Sequence, residues 1–325
     1  VADVIKVHAD AFCGPRTSGP AVVTVGTFDG VHRGHQEILR TLDDLSGETM
    51  VRTVVTFDPH PQSVIRRDGR GVPLLTETRE KIRLLCLYGV DRLLVLHFDR
   101  ELAALSAEDF LQEILLKRLQ AAALVIGYNH NFGRNREGSP EFLEQNRERF
   151  GYLLSVVGPH YVDGEPVSST RIRRALETGD VARAHHFLGR PYALSGTVVA
   201  GNGRGRALQF PTANLKVCHP DKLVPPLGIY AVEAAVGEEV WPGMMSIGTR
   251  PTFGGGEVIL EVHLIGFSGD IYGRTVEVRF LKKLRDEERY AGVEELVEQI
   301  TRDQEASLEA YREYQAGRTG EPTTE

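Results

Sequence analysis

Ala21-Val22-Val23-Thr24-Val25-Gly26-Thr27-Phe28-Asp29-Gly30-Val31-His32-Arg33-Gly34-His35 decides how this chain is read. The apolar run Ala21 to Val25 reads as a buried strand. A glycine-bearing turn follows at once, and two histidines three apart then open a helix. Strand, tight turn and helix start form a seat for a phosphate group. The segment is not a Walker loop, because no Gly-Lys-Ser/Thr ends it, and it is not Gly-x-Gly-x-x-Gly. At i and i+3, His32 and His35 share one helix face and can both donate to one anion. Taken alone they fit a capped helix with surface histidines equally well.

Outward from this turn, apolar runs alternate with amphipathic segments as far as residue 160. The runs are Ala21 to Val25, Val51 to Phe57, Arg92 to Phe98, Ala121 to Gly127 and Tyr152 to Val157. Helical patterns lie near Gln36 to Leu45, Glu77 to Tyr88, Ala107 to Leu119 and Pro140 to Phe150. Strands apolar throughout, separated by helices, predict a parallel sheet covered on both faces. The fold class is α/β, a Rossmann-like doubly wound sheet. Ligands of such sheets bind beyond the carboxyl ends of the strands. Gly26 to Gly30, Asp58-Pro59-His60-Pro61 and Gly127 to Gly138 all fall there.

Two short helical segments follow, near Thr170 to Glu177 and Val181 to Leu188. After Gly189-Arg190-Pro191, strand-like segments succeed one another without helices: Tyr192 to Val199, Ile229 to Val236, Glu239 to Ile247, Val258 to Ile265 and Thr275 to Leu281. Glycine and proline turns separate them, the pattern of a small antiparallel β-barrel. A carboxyl-terminal helix, about Gly292 to Tyr314, can cover one opening, and the tail from Gln315 reads as frayed. A domain boundary is expected near residue 188, giving units 1–188 and 189–325.

The 325 residues exceed what one core usually serves, which agrees with two domains. A net charge of −7 argues against a general nucleic-acid or anionic-membrane surface. Cys13, Cys86 and Cys218 are far apart and odd in number, so neither a disulfide framework nor a metal spacing is expected. That usage suits a reducing cytoplasm. No apolar stretch is long enough to span a bilayer, and the amino terminus lacks a signal-peptide pattern.

Cations recur at two helix starts. Arg33 joins His32 and His35, and Ser168-Ser169-Thr170-Arg171-Ile172-Arg173 places two arginines just after good capping residues. Cations oppose the helix dipole there, and an anion above them reverses the penalty. Hydroxyls, amides and guanidinium groups together suit a polyphosphate, although an ordinary N-cap also accounts for the serines.

These two motifs resemble the HxGH nucleotidyltransferase superfamily. Thr56-Phe57-Asp58-Pro59-His60-Pro61 and Gly127-Tyr128-Asn129-His130-Asn131-Phe132-Gly133 narrow the resemblance to the FMN adenylyltransferase module of bacterial bifunctional FAD synthetases. The resemblance implies attack of an FMN phosphate oxygen on the α-phosphorus of ATP, with loss of pyrophosphate. It implies that His32 and His35 hold the ATP phosphates and that Arg171 and Arg173 steady the leaving group. It places Gly26, Phe28, Asp29, Gly30, Ser168, Ser169 and Thr170 against the nucleotide, and Asp58, His60 and Asn129 near the flavin. At 130–131 this chain has His-Asn, where the family pattern has an aromatic and often an arginine.

The second half carries its own constellation. Gly201-Asn202-Gly203-Arg204-Gly205-Arg206 can turn backbone amides toward an anion, or can be a plain glycine-rich hairpin. In Phe210-Pro211-Thr212-Ala213-Asn214-Leu215, Thr212 and Asn214 point to one side of an extended segment. A hydroxyl and an amide oxygen so placed can complete an octahedral Mg²⁺ that also takes phosphate oxygens. Alternation in Val258 to Ile265 sets Val258, Leu260, Val262 and Leu264 on one face. Glu261 shares the other with Ile259, His263 and Ile265, where it is either a shielded general base or an exposed carboxylate.

These segments resemble the riboflavin kinase module, whose hallmark is Pro-Thr-Ala-Asn. The resemblance makes Thr212 and Asn214 the Mg²⁺–ATP ligands, with Gly201, Gly203, Arg204, Gly205 and Arg206 at the nucleotide. It makes Glu261 the base for the ribityl 5′-hydroxyl, and it puts Arg285, within Leu281 to Glu288, near the flavin. Gln209 replaces the glycine that usually precedes Phe-Pro-Thr-Ala-Asn. The sequence thus points to ATP-dependent synthesis of FMN from riboflavin and of FAD from FMN, with small-molecule partners only. A nucleotidyltransferase with another acceptor needs no Pro-Thr-Ala-Asn. A flavin-binding regulator that has lost its chemistry should lack the ligating groups.

Overall fold

A computed structural model describes residues 5–66, 71–201, 210–252 and 255–319. By contact the chain divides into two compact units, Val1–Ser169 and Thr170–Glu325.

The first unit is a six-stranded sheet in the order β1-β4-β3-β2-β5-β6. Its strands are β1 (Val7–Phe12), β2 (Ala21–Val25), β3 (Val51–Asp58), β4 (Arg92–His97), β5 (Ala121–Gly127) and β6 (Leu153–Val157). The five strands β2 to β6 pair in parallel, as their unbroken apolar sequences require. Helices on both faces explain why all of β2 is buried. Val23, Val25, Val55, Leu94 and Ile126 pack with Phe110, Leu111, Ile114 and Leu143. On the opposite face, Val22 and Val125 meet Leu42, while Val54, Leu93 and Val95 meet Leu39, Leu84 and Leu85.

The covering helices are α1 (Arg33–Ser46), α2 (Pro61–Ile65), α3 (Thr78–Leu87), α4 (Arg100–Ala103), α5 (Ala107–Asp109) and α6 (Pro140–Phe150). From α5 the chain runs on as a π-helical stretch, Phe110–Arg118, so the single helix expected over 107–119 changes its winding midway. The small pair β7 (Tyr161–Val162) and β8 (Glu165–Pro166) closes the unit. The parallel strands on either side of β2 are β3 and β5, so the winding reverses there. A crevice opens at such a point beyond the carboxyl ends of the strands.

Two features differ from the sequence expectation. β1 was not anticipated; it pairs antiparallel with β4 at the sheet edge and alternates half-buried and exposed residues. Cys13 and Cys86 form a disulfide, with Cα atoms 5.4 Å apart across 73 residues of sequence. The end of β1 and the end of α3 meet in space, which spacing along the chain could not reveal. Cys218 is the free, exposed cysteine. Cysteine usage therefore no longer argues for a reducing compartment.

The second unit opens with α7 (Ser169–Glu177), whose first residue is counted with the sheet unit, and α8 (Val181–Leu188). The barrel comprises β9 (Tyr192–Val199), β10 (Ala213–Val217), β11 (Gly228–Val236), β12 (Glu239–Thr252), β13 (Gly255–Leu264) and β14 (Thr275–Arg285). It is closed in the order β10-β13-β12-β11-β14-β9, with β9 returning to β10. Neighbours run antiparallel, and Leu194, Val198, Leu215, Val232, Met245, Val262 and Val278 are buried. β10 was read only as an extended segment, because Pro211 and Asn214 mask its short apolar pattern.

α9 (Val293–Thr319) packs against β11, β12 and β14. It runs past Tyr314, where the tail had been expected to fray. Its Asp303 holds Arg285 at 2.7 Å, and its Gln315 donates to Glu233 at 2.8 Å. Glu233 is fully buried and also pairs with Arg279, as a buried carboxylate must. α8 packs against β9 and β14, so the contact division falls at Ser169 and not near residue 188.

Candidate active sites

In the sheet unit the chain leaves β2 through a turn tied down on every side. Gly26 N–H donates to Val55 O, and Thr56 Oγ1 donates to Thr27 O. Phe28 and Val31 are buried with φ of +49° and +40°, values that side chains adopt only where surrounding structure compels them. Gly30, at φ +89°, meets the same demand at no steric cost. Asp29 is 2% exposed, and its carboxylate accepts from the Leu75 and Thr76 amides at 2.9–3.2 Å. Thr76 answers by accepting from Gly30 N–H. The side chains of Phe28 and Asp29, expected against the nucleotide, therefore shape the turn from beneath.

His32 caps α1, its Nδ1 accepting from His35 N–H at 3.3 Å. With Nδ1 an acceptor, the proton of the neutral ring sits on Nε2. The rings of His32 and His35 stack at 3.6 Å and 13°, with Phe28 5.0 Å from His35. His32 is 6% exposed. The capped helix is thus real, but the histidines are a packed pair and not surface residues.

Ser169, 140 residues on, donates its hydroxyl to Asp29 O at 2.9 Å. Ser169, the last residue of the first unit, is therefore in direct contact with the glycine turn. Arg171 and Arg173 follow on α7 within the second unit, and Thr170 is exposed. At the end of β3, Asp58 pairs with His8 at 3.3 Å, and His60 caps α2 by accepting from Gln62 N–H. Beyond β5, Asn129 is exposed, while His130 stacks on Phe132 at 5.8 Å. His130 Nε2 is buried and has no hydrogen-bond partner among the described residues. Burial pushes this imidazole down to about 4, so it is neutral at physiological pH and packs as the aromatic it replaces.

Lys81 was not singled out from sequence. It lies on the buried face of α3 and donates to Thr27 O and Phe57 O at 3.2 and 3.1 Å. A lysine in step with Leu84 and Leu85 was the available signal.

On the barrel, Asn214 of β10, Glu261 of β13 and Ser246 of β12 lie opposite one another in one row. Directly opposed residues share a face. Leu215, Leu260 and Val262 point to the buried interior, so the row lies on the outer side, and all three of its residues are half-buried. Thr212 is exposed two residues before Asn214. His263 Nδ1 donates to Pro211 O at 2.7 Å and anchors the Pro-Thr-Ala-Asn segment to β13. Sequence reasoning placed His263 on Glu261's face without seeing that tether, and it did not find Ser246. Val258, expected with the buried residues, is 49% exposed.

A Cβ on Gly201 would fall 2.0 Å from Asn214 Nδ2, so the Asn214 amide rests directly against this glycine. Gly203, Arg204, Gly205, Arg206 and Gln209 lie outside the described residues. Arg285 is committed to Asp303 of α9, and its Nη1 donates to Asp286 O.

A doubly wound sheet with its glycine turn at the switch point, and separately a closed six-stranded antiparallel barrel carrying the Asn214–Glu261 row, make this a two-module chain. The FAD synthetase family model matches residues 15–171, and the riboflavin kinase family model matches residues 188–311. Bifunctional riboflavin kinase/FMN adenylyltransferases match along most of the chain. That of Escherichia coli K12 is 39% identical, covering 89% of this chain and 92% of its own; that of Bacillus subtilis 168 is 34% identical over 89% and 92%. A solved structure named macrolide-efflux protein, from Streptococcus pneumoniae, matches with a TM-score of 0.81 at 31% identity, over 91% of this chain and 97% of that one. This chain belongs to the bifunctional riboflavin kinase/FMN adenylyltransferase family. Among its described residues, no helix is long and apolar enough to cross a membrane.

Proposed function

We propose that the two reactions are divided along the chain, with adenylyl transfer in residues 1–188 and phosphoryl transfer in residues 189–325. The chain is an enzyme of flavin cofactor synthesis: it phosphorylates riboflavin to FMN with ATP, then adenylylates FMN to FAD with release of pyrophosphate. What supports the division is that the histidine-bearing turn lies in the first stretch and the Asn214–Glu261 row in the second.

Within residues 1–188, a phosphate oxygen of FMN attacks the α-phosphorus of ATP, and the bond to the β-phosphate oxygen breaks. His32 and His35 donate to the ATP phosphates as charge builds, and Arg171 and Arg173 neutralise the pyrophosphate. Gly26 and Gly30 let the backbone approach the nucleotide. Ser168, Ser169 and Thr170 steady the seat, Ser169 through its bond to Asp29 O. Asp58, His60 and Asn129 border the flavin.

In the barrel, Glu261 takes the proton of the riboflavin 5′-hydroxyl as that oxygen attacks the γ-phosphorus and ADP leaves. Thr212 and Asn214 offer neutral hard oxygens, which fit Mg²⁺ shared with phosphate. Bound there, Mg²⁺ would neutralise charge on the transferring phosphoryl group. His263 holds the segment that presents them. Both steps consume ATP, which suits a cytoplasmic site of action with small-molecule partners and no nucleic acid. Incubation with riboflavin and ATP, followed by chromatography, tests the reading: FMN and then FAD should appear, and absence of both defeats it.

A further inference from the structure

Lys81 stands where an ammonium weakens a fold. It is 6% exposed, on the helix face that buries Leu84 and Leu85. No carboxylate lies within ion-pair distance of it among the described residues; its partners are two backbone carbonyls, Thr27 O and Phe57 O. The charges facing it are Asp29 on the turn after β2 and Asp58 at the end of β3. Asp29 is occupied by the Leu75 and Thr76 amides, and Asp58 by His8 of β1. Its own helix carries Glu77 and Glu80 in the turn that precedes it. A buried, unpaired cation costs stability, and an apolar side chain would finish this face at less cost. Stability does not explain the residue.

Position does. Thr27 lies inside the glycine turn, and Phe57 immediately precedes Asp58. We propose that Lys81 is a positioning residue for adenylyl transfer: its ammonium pins the carboxyl end of β2 to that of β3 and sets a positive charge beneath the turn that receives the nucleotide phosphates. The inference rests on reading this turn as the adenylyl-transfer site. Charge and tether are separable by pH. A neutral amine keeps two N–H donors, enough for both carbonyls, but loses the charge. Burial holds the pKa of Lys81 below its usual 10.5, against the pull of Asp29 and Asp58.

The test uses the full-length chain, with FMN-to-FAD conversion and riboflavin phosphorylation assayed separately. In Lys81→Met, kcat/KM for ATP in FAD formation should fall about 10- to 100-fold, the size of a lost charge-assisted bond, with phosphorylation at the parent rate. The parent's FAD formation should decline as pH rises through the Lys81 ionisation, below 10.5. Its kinase step should not decline there, and the Met variant should lack that limb. Stability should move the other way, because over that window the unfolded chain binds a proton the folded chain does not. A lysine of structural importance only predicts no alkaline limb in the parent, and that result overturns the proposal. So does a Met variant that makes FAD at the parent rate. If the variant fails to fold, the parent's limb decides alone. A parent that makes FMN but never FAD instead overturns the adenylyl-transfer reading, and this inference with it.

Discussion

Asp29→Ala should cost the sheet unit about 3–5 kcal/mol, because it strands two buried amides and removes the charge they share. The carboxylate is 2% exposed and accepts from Leu75 N–H at 3.0 Å and Thr76 N–H at 2.9 Å. A hydrogen bond to a charged group contributes about 1.5–3 kcal/mol, and an unsatisfied buried donor costs about 1–3 kcal/mol. The two ranges overlap in what they count, so they do not simply add. Asp29→Asn keeps one acceptor oxygen and should cost about 1–3 kcal/mol. Urea unfolding distinguishes the units, because the chain has a single tryptophan, Trp241, on β12. Its fluorescence follows the barrel, while far-ultraviolet circular dichroism follows both units. The Ala variant should shift the transition that tryptophan does not report, and FAD formation should fail at lower urea than FMN formation. A loss under about 1 kcal/mol, the size of an ordinary surface change, refutes the reasoning. So does a shift seen equally in the Trp241 signal.

His32→Ala should slow FAD formation about 10²- to 10³-fold, as removal of a preorganised donor does, while FMN still accumulates. Loss of both products, measured by chromatography, would count against separate sites. Glu261→Ala should slow phosphorylation of riboflavin about 10²- to 10⁴-fold, yet supplied FMN should still become FAD; phosphorylation at the parent rate removes Glu261 as the base. His130 is held at about 4 in the fold against 6.5 unfolded, so the unfolded chain binds the extra proton and stability falls as pH drops from 6.5 toward 4. His130→Phe should flatten that part of the stability–pH curve, and an unchanged slope would show that His130 does not carry it.

Much of the sheet was legible because its strands are apolar on both faces. Ala21 to Val25 and Ala121 to Gly127 are bounded as read, since Gly26 and Gly127 end the runs sharply. β1 escaped because an edge strand needs only one buried face, and Val7 to Phe12 alternates too briefly to stand out. β12 runs on to Thr252 through Gly248 and Pro251, residues that read locally as a turn; cross-strand pairing with β13 overrides them. The sites divide similarly. Residue types with a chemistry of their own, such as His32 and Glu261, announce themselves by motif. Residues distinguished only by where the fold puts them, such as Lys81, His263 and Asp29, look ordinary until long-range contacts form. The Cys13–Cys86 pair is the extreme case, since nothing local in the sequence marks either cysteine.

Under the proposed division, the two reactions make opposite demands of their sites. A phosphate monoester loses its second proton with a pKa of about 6, so FMN arrives ionised and needs no base. The turn after β2 accordingly carries stacked imidazoles, His32 and His35. The carboxylate within this turn, Asp29, is bonded to the Leu75 and Thr76 amides. A ribityl hydroxyl is far less acidic and must give up a proton during attack. The barrel therefore keeps a half-buried carboxylate, Glu261, in register with Asn214. A base placed beside His32 would compete with the incoming phosphate. A barrel face of cations alone would leave the hydroxyl protonated. The electrostatic sign of each constellation thus follows from the acidity of the group it activates, and exchanging the carboxylate between the two sites should disable both reactions.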